Sequence, residues 1–575
     1  MHLKTYKGED NDNLSIFVES FDDDTPKDSL SSPFILRTSN IYIDGLNFKL
    51  LDFNEKDPLQ FEALNGGGNL QDFSVVGPEV NAKIRGLYFT ENRGISITNL
   101  STDFLYSKTQ MKFDKTTLQT NNSKVFGDIE FKYKREDLQY FKDKVTITAK
   151  FKKSSLSILD VQKLYNELQG NDLLNFTGNI NGTLNNFKAQ NLNVTSSNGM
   201  KIIADLGFKN ALSSHRGFEF TGDLENVTAS YNQLKRVLPN LLGKTLPTEF
   251  SRLGKFTLSG RTLITPEKMD AVIDVDSEIG TIISDLELTN IDDIDFASYS
   301  GEVEFQDFNI GKFVNDPILG KVTLSGDVNG SGFKVENINT SIIGKIENLE
   351  FNGYNYQDLL VNGQFQLQKF DGDLKVNDEN LKLDFNGLAD FSSAINKFDF
   401  TADIGFANLK ETKLFERDSI SRFKGKAIFD LRGNTLDDMI GKINFSNVEY
   451  TNQKQKYPFK QFEVTSAIKD SIKTIKINSE DIVKGELEGK FLFSELLPVS
   501  QNALGSIYAN YNPYKVLPNQ FLNFNFTIYN QIIDVFFPQV SIAPNTKISG
   551  SIKGNSNGFK LRFNSPEIDA YGVKI

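Results

Sequence analysis

The sequence has no cysteine, no tryptophan and only two histidines in 575 residues. Without cysteine there is no structural disulfide and no thiolate metal site; this suits an oxidising cell envelope, and a cysteine-poor genome equally well. His2 stands at the start of the chain, and His215 in Ser213-Ser214-His215-Arg216-Gly217 reads as a loop residue, so histidine catalysis and zinc binding lack their groups. Positive charge is short as well. Lys and Arg number 63 against 75 Asp and Glu, for a net charge of −12 and a pI near 5.0, with no basic stripe of the kind phosphate binding needs. There is no secretory signal and no apolar run of about 18 residues; the best, Ile532 to Val540, is broken by Asp534 and Pro538. No Pro-rich, Gly/Ser-rich or charge-block linker divides the chain, although its length would suit roughly four domains of about 150 residues.

Three motif matches dissolve on inspection. Gly243-Lys244-Thr245 resembles the end of a P-loop, but Leu238 occupies the position of the required glycine. Asp274, Asp276 and Glu278 ahead of Gly280 have a calcium-loop rhythm, yet Ile273 and Val275 between them make a strand's wet face the simpler reading. Asn-x-Ser/Thr triplets at Asn175, Asn193 and Asn226 follow from the asparagine content. Nothing locates a paired-carboxylate centre. The chain is read as a non-enzyme with no cofactor and no metal.

What is present is period-two patterning. From Gly344 to Phe391 apolar residues alternate with polar ones: Val361, Phe365 and Leu367, then Leu374 and Val376, then Leu381, Leu383 and Phe385. Breaks at Asn352-Gly353, Asp371-Gly372 and Asn377 to Asn380 carry turn chemistry, so an antiparallel meander is expected, apolar on one face and polar on the other. Similar segments fill Phe34–Phe151 and resume at Lys255. The period changes at Ser157, where Ile158, Val161, Leu164, Tyr165 and Leu168 with a capping-box-like Asp160 and Gly170 predict an amphipathic helix. A second is predicted from Ser230 through Leu234, Val237 and Leu238, stopped or kinked by Pro239 and ending at Gly243. Core packing is the reading for both; plugging sheet ends, lying across the apolar face or touching a membrane are the alternatives. This gives three segments: a β-meander over 1–156, strands with two helices over 157–254, and a continuous repetitive β-groove over 255–575. Phe176–Gly182, Leu324–Gly330 and Ile548–Gly554 share one loose motif, with a partial copy at Leu258–Gly260, consistent with duplicated hairpins.

STDFLYSKTQMKFDKTTLQTNNSKVFGDIEFKYKRED at 101–137, LPNLLGKTLPTEFSRLGKFTLSG at 238–260, VNDPILGK at 314–321 and DENLKLDF at 378–385 occur in an order that resembles the TamB family, the translocation and assembly module of the AsmA-like group in Gram-negative envelopes. The resemblance covers essentially the whole chain, through motifs that are individually of low specificity. It implies a periplasmic bridge with a U-sectioned apolar groove, passing phospholipids between inner and outer membranes and supporting outer-membrane protein assembly through a barrel partner. Family members begin with an inner-membrane helix and end in a partner-engaging domain. This chain resembles an internal fragment, so an apolar helix of about 20 residues is expected upstream of Met1.

The fold expected is all-β with a few short helices, an elongated repetitive antiparallel sheet curled into an open U-shaped apolar groove. Roughly 35 strands at about 4.8 Å would make it on the order of 170 Å long. Acyl chains would cover the apolar face, which the 49 phenylalanines pave with flat, purely hydrophobic rings. Expected lining residues are Val303, Phe305, Val322, Leu324, Phe365, Leu367, Leu374, Val376, Leu381, Leu383, Phe385, Phe398 and Phe400. The competing reading is a structural or adhesive β-solenoid or sandwich whose apolar faces cover each other. Charge separates the two: in an open groove Leu383→Asp and Phe365→Asp leave folding nearly intact, whereas in a closed core they bury an unpaired carboxylate.

Overall fold

The structure, a computed structural model, describes residues 2–9, 12–13, 16, 34–54, 56–163, 170–212, 217–237, 248–291, 293, 296–334, 337–366, 368–505, 510–530, 540–554, 558–570 and 573–574. The protein is all-β, built as open, unclosed antiparallel sheet with a few short helices. It divides into two compact units, Met1–Val303 and Glu304–Ile575. Leu367, His215, Gly243-Lys244-Thr245 and most of the Ile532–Val540 run lie outside the described residues.

In the first unit the strands from Ile35–Asp52 to Gly280–Thr289 each pair antiparallel with the next in sequence. The short strand His2–Thr5 joins in parallel at Lys49–Asp52. Register slips recur, and two of them show how the backbone tolerates them. Lys115 (φ 52°) and Asn191 (φ 50°) sit at slips between strands, where an extra residue would strand a backbone N–H. Asp128 accepts the Lys115 N–H at 2.7 Å and Asp205 accepts that of Asn191 at 2.6 Å. Such bulges bend and coil a sheet.

The two expected helices are shorter where described. Ile158–Val161 and Tyr231–Val237 are helical, while 164–169 and 238–247 lie outside the described residues. Asp160 is no cap: it is buried and accepts hydrogen bonds from Thr120 Oγ1 (2.5 Å), Ser123 Oγ (2.6 Å) and Asn122 Nδ2 (2.9 Å), pinning the 120–123 turn. The Asp160 carboxylate is used by this distant turn instead of by the helix's own N-terminus.

In the second unit strands run from Leu319–Ser331 to Phe559–Asn564, again pairing in succession. No described pairing joins its first strand to its last, so this sheet stays open. Asn352 (φ 51°) and Gly353 (φ 71°) turn the chain between Phe351 and Tyr354, and Asp378 Oδ1 accepts the Asn380 N–H at 2.8 Å, as their sequence signals require. Asp371-Gly372 is different. It lies inside the strand Lys369–Asn377, with Gly372 opposite both Gly363 and Gly387. That glycine serves close strand approach and not a turn: a Cβ on Gly372 would run into the Asn362 carbonyl oxygen and the Gly363 Cα of the neighbouring strand.

Candidate functional site

Alternation and pairing together build the site. Seven consecutive strands, Tyr354–Gln366, Lys369–Asn377, Leu381–Asp390, Lys397–Asn408, Ser421–Arg432, Ile440–Asn452 and Lys456–Lys469, each contribute one phenylalanine to a single row. Ring centroids follow at 4.8 Å from Phe365 to Phe370, 5.8 Å to Phe385, 5.0 Å to Phe400, 4.6 Å to Phe429, 6.0 Å to Phe445 and 6.4 Å to Phe462. The spacing is that of the strands themselves, so the row spans on the order of 30 Å. None of the seven rings is buried, and Phe365 is 39% exposed. A depression of about 670 Å³ lies on the opposite face of these strands, where Ile343, Asn362, Asp373, Asn386 and Thr401 stand in register beside Leu360, Lys375, Asp384 and Asp403.

The row itself carries no hydroxyl, amide or charge. The other face of the same strands is wet: Lys375–Asp384 (3.7 Å), Lys345–Asp358 (3.6 Å) and Lys442–Glu463 (2.7 Å) pair across strands. Exposed pairs of this kind contribute about 0–1 kcal/mol each; their larger effect is to keep that face in water.

The expected lining residues divide. Phe365, Phe385 and Phe400 lie along the uncovered row, and Phe398 is nearby, packed edge-on against Phe391 at 5.2 Å. Val376 and Leu381, at 4% and 8% exposure, belong instead to a protein core with Tyr356, Leu359 and Ala407, and the half-buried Leu374 and Leu383 pack against it. The segment after Asn408 closes this core: Leu409 packs on it, and the Tyr356 hydroxyl donates to the Thr412 carbonyl at 3.3 Å. Val376 and Leu381 are therefore corrected from groove lining to core, while Leu374 and Leu383 border it. Val322 and Leu324 are buried as well, on a strand against which the helix Ile310–Val314 packs. Phe305 stacks at 5.0 Å on the buried Phe308, while Val303 is half-buried.

Sequence reasoning missed Phe370, Phe429, Phe445 and Phe462. The signal was a Phe recurring from strand to strand beside polar or glycine neighbours, as in KFDG, IFDL, NFSN and QFEV. It also missed comparable rows in the first unit, Phe104–Phe113–Phe131 (5.1 and 6.1 Å) and Phe187–Phe208–Phe220 (4.7 and 5.2 Å), where no ring is buried.

Among the described residues there is no cluster of three or more potential metal ligands, and no helix long and apolar enough to cross a membrane. Comparison with family models, curated proteins and solved structures finds no match to this chain.

Proposed function

We propose that the uncovered phenylalanine row holds acyl chains, and that the chain is part of a conduit passing phospholipids between the inner and outer membranes of a cell envelope. The observation that carries this is a strip on the order of 30 Å, roughly the thickness of a bilayer's hydrocarbon, without one polar side chain in its row of rings. A protein segment lying there would bring polar groups that need about one hydrogen bond per 100–200 Å² of interface, and the row offers none. An acyl chain needs none. The resemblance to TamB supplies the rest of the proposal: a periplasmic setting, an inner-membrane anchor and an outer-membrane barrel partner engaged by other parts of a longer protein, with a role in outer-membrane protein assembly.

Phe400→Asp and Phe429→Asp test it. Each should leave circular dichroism and melting almost unchanged, because the carboxylate keeps its water, and should abolish photo-cross-linking of phospholipid along the row. Mass spectrometry of co-purifying material should return acyl lipids. If the substitutions unfold the protein, another protein surface closes the face and the structural or adhesive reading replaces this one.

A further inference from the structure

The same apolar face is treated differently on the next strand. At Ile472–Asn478, immediately after the last strand of the row, Ile475 comes under cover. The helix Leu496–Gly505 lies across it, and Val499 and Ala503 form a buried cluster with Phe491, Leu522 and Ile552, against which Leu487, Phe524 and Phe559 also pack. One residue beneath this cover does not belong on an apolar face. Lys473, 4% exposed, faces the same way as Ile475, directly opposite Gly489, which in turn is opposite Leu522. Its ammonium lies 4.8 and 4.6 Å from the centroids of Phe491 and Phe493 and 3.2 Å from Asp437 Oδ1. Asp437, in the turn after Arg432, also accepts the Phe493 N–H at 2.7 Å, so one carboxylate clasps both the lysine and the segment leading into the helix.

A lysine here weakens the closed arrangement relative to an apolar side chain, because its desolvation offsets much of the ion pair, and it stabilises an open one, where the ammonium regains water. Both effects lower the free energy of lifting the cover. We propose that the helix Leu496–Gly505 is a displaceable stop at the end of the phenylalanine row, closed by its apolar cluster and kept displaceable by the buried Asp437–Lys473 pair, and that an acyl chain advancing past Phe462 must lift it. This rests on the lipid reading above. The element lies at the end of the row, and the one buried ion pair beneath it sets how readily its apolar contacts open.

The cysteine-free chain makes the test direct. Leu522→Cys sets a single thiol under the helix, and Asn523→Cys sets one on the exposed face. Maleimide labelling of Leu522→Cys should be slow beside Asn523→Cys. Adding Asp437→Asn, which leaves the lysine buried and unpaired, should speed it by about tenfold or more. Adding Lys473→Met, which keeps the packing and removes the charge, should slow it. A fixed core helix would expose Leu522→Cys only on global unfolding, so labelling rates that follow the urea-measured stability of each variant, or that do not change, overturn the proposal; opposite shifts larger than the change in global stability support it. Should Asp437→Asn fail to fold, Lys473→Met decides alone: labelling slowed beyond its gain in urea-measured stability supports a stop, and labelling that is unchanged, faster or merely follows that stability overturns it. Separately, a photo-cross-linking residue at Phe445 is exposed to phosphatidylethanolamine–phosphatidylglycerol vesicles. Thiols that respond without lipid capture at Phe445 defeat the lipid reading, and with it the stop's acyl role; lipid capture with unresponsive thiols defeats the stop alone.

Discussion

Leu383 and Phe365 have the same hydrophobic character and the same strand parity, yet opposite responses to charge are expected of them. Leu383 packs against a closed core, so Leu383→Asp should bury an unpaired carboxylate and lower stability by several kcal/mol, at the severe end of single substitutions. Phe365 is partly in water, and Phe365→Asp should cost little beyond its ring contact with Phe370, about 0.5–1.5 kcal/mol. Melting curves of the two variants check this, and equal destabilisation would count against an uncovered row. Glycine matters at the same scale. Gly387 (φ 131°) carries its missing side chain toward the next strand, where a Cβ would come within 2.6 Å of Phe400 Cα. Gly387→Val should therefore destabilise by about 1–3 kcal/mol through strain and strand separation, whereas Asn386→Val on the wet face should be nearly silent.

At the scale of elements, turns and bulges are held by carboxylates, and this makes them sensitive to acid. Burial works against the charge on Asp160, but hydrogen bonds from Ser123, Thr120 and Asn122 outweigh it and hold the carboxyl below the usual range. Asp128 is also held low, first by the Lys115 N–H and then by the Lys152 ammonium at 3.0 Å. A depressed folded-state value stabilises the protein above the unfolded carboxyl pKa of about 3.9, and that contribution is lost as pH falls through the folded value. Stability of the first unit should therefore decline below about pH 4. Asp160→Asn, already weakened at neutral pH by a mismatched acceptor, should show a shallower acid slope in denaturant titrations at stepped pH. An unchanged slope would remove Asp160 from this role.

At the scale of the whole molecule, nearly every described strand of the large sheet pairs with its neighbours in sequence, so stability resembles a sum of local terms with no single closed core. Unfolding is expected to lack a single transition. Urea titrations followed by a fluorophore placed in Met1–Val303 and another in Glu304–Ile575 should give separate midpoints. Coincident curves would show the two units to be one cooperative body. The net charge of −12, with cross-strand ion pairs on the wet face of the second unit, keeps exposed sheet in solution while the row of rings remains uncovered.

Local chemistry by itself determined the strands, their alternation and the Asn352-Gly353 and Asp378 turns, because two-residue periodicity and left-handed backbone preferences act over a few bonds. It did not determine which apolar side chains stay uncovered. Val376 and Phe385 are alike in pattern; the first is covered because the segment after Asn408 folds over that end of the strands, and the second is not. Nor did it show that Asp371-Gly372 continues a strand, that Asp160 serves a turn some 40 residues away, or that the helix Leu496–Gly505 covers Leu522 and Ile552. Each of these depends on a partner distant in sequence, and register across strands decides which partner arrives. The phenylalanine row is the clearest case: one ring per strand was visible all along, but only the pairing of seven strands sets the rings 4.6 to 6.4 Å apart and turns a composition into a surface.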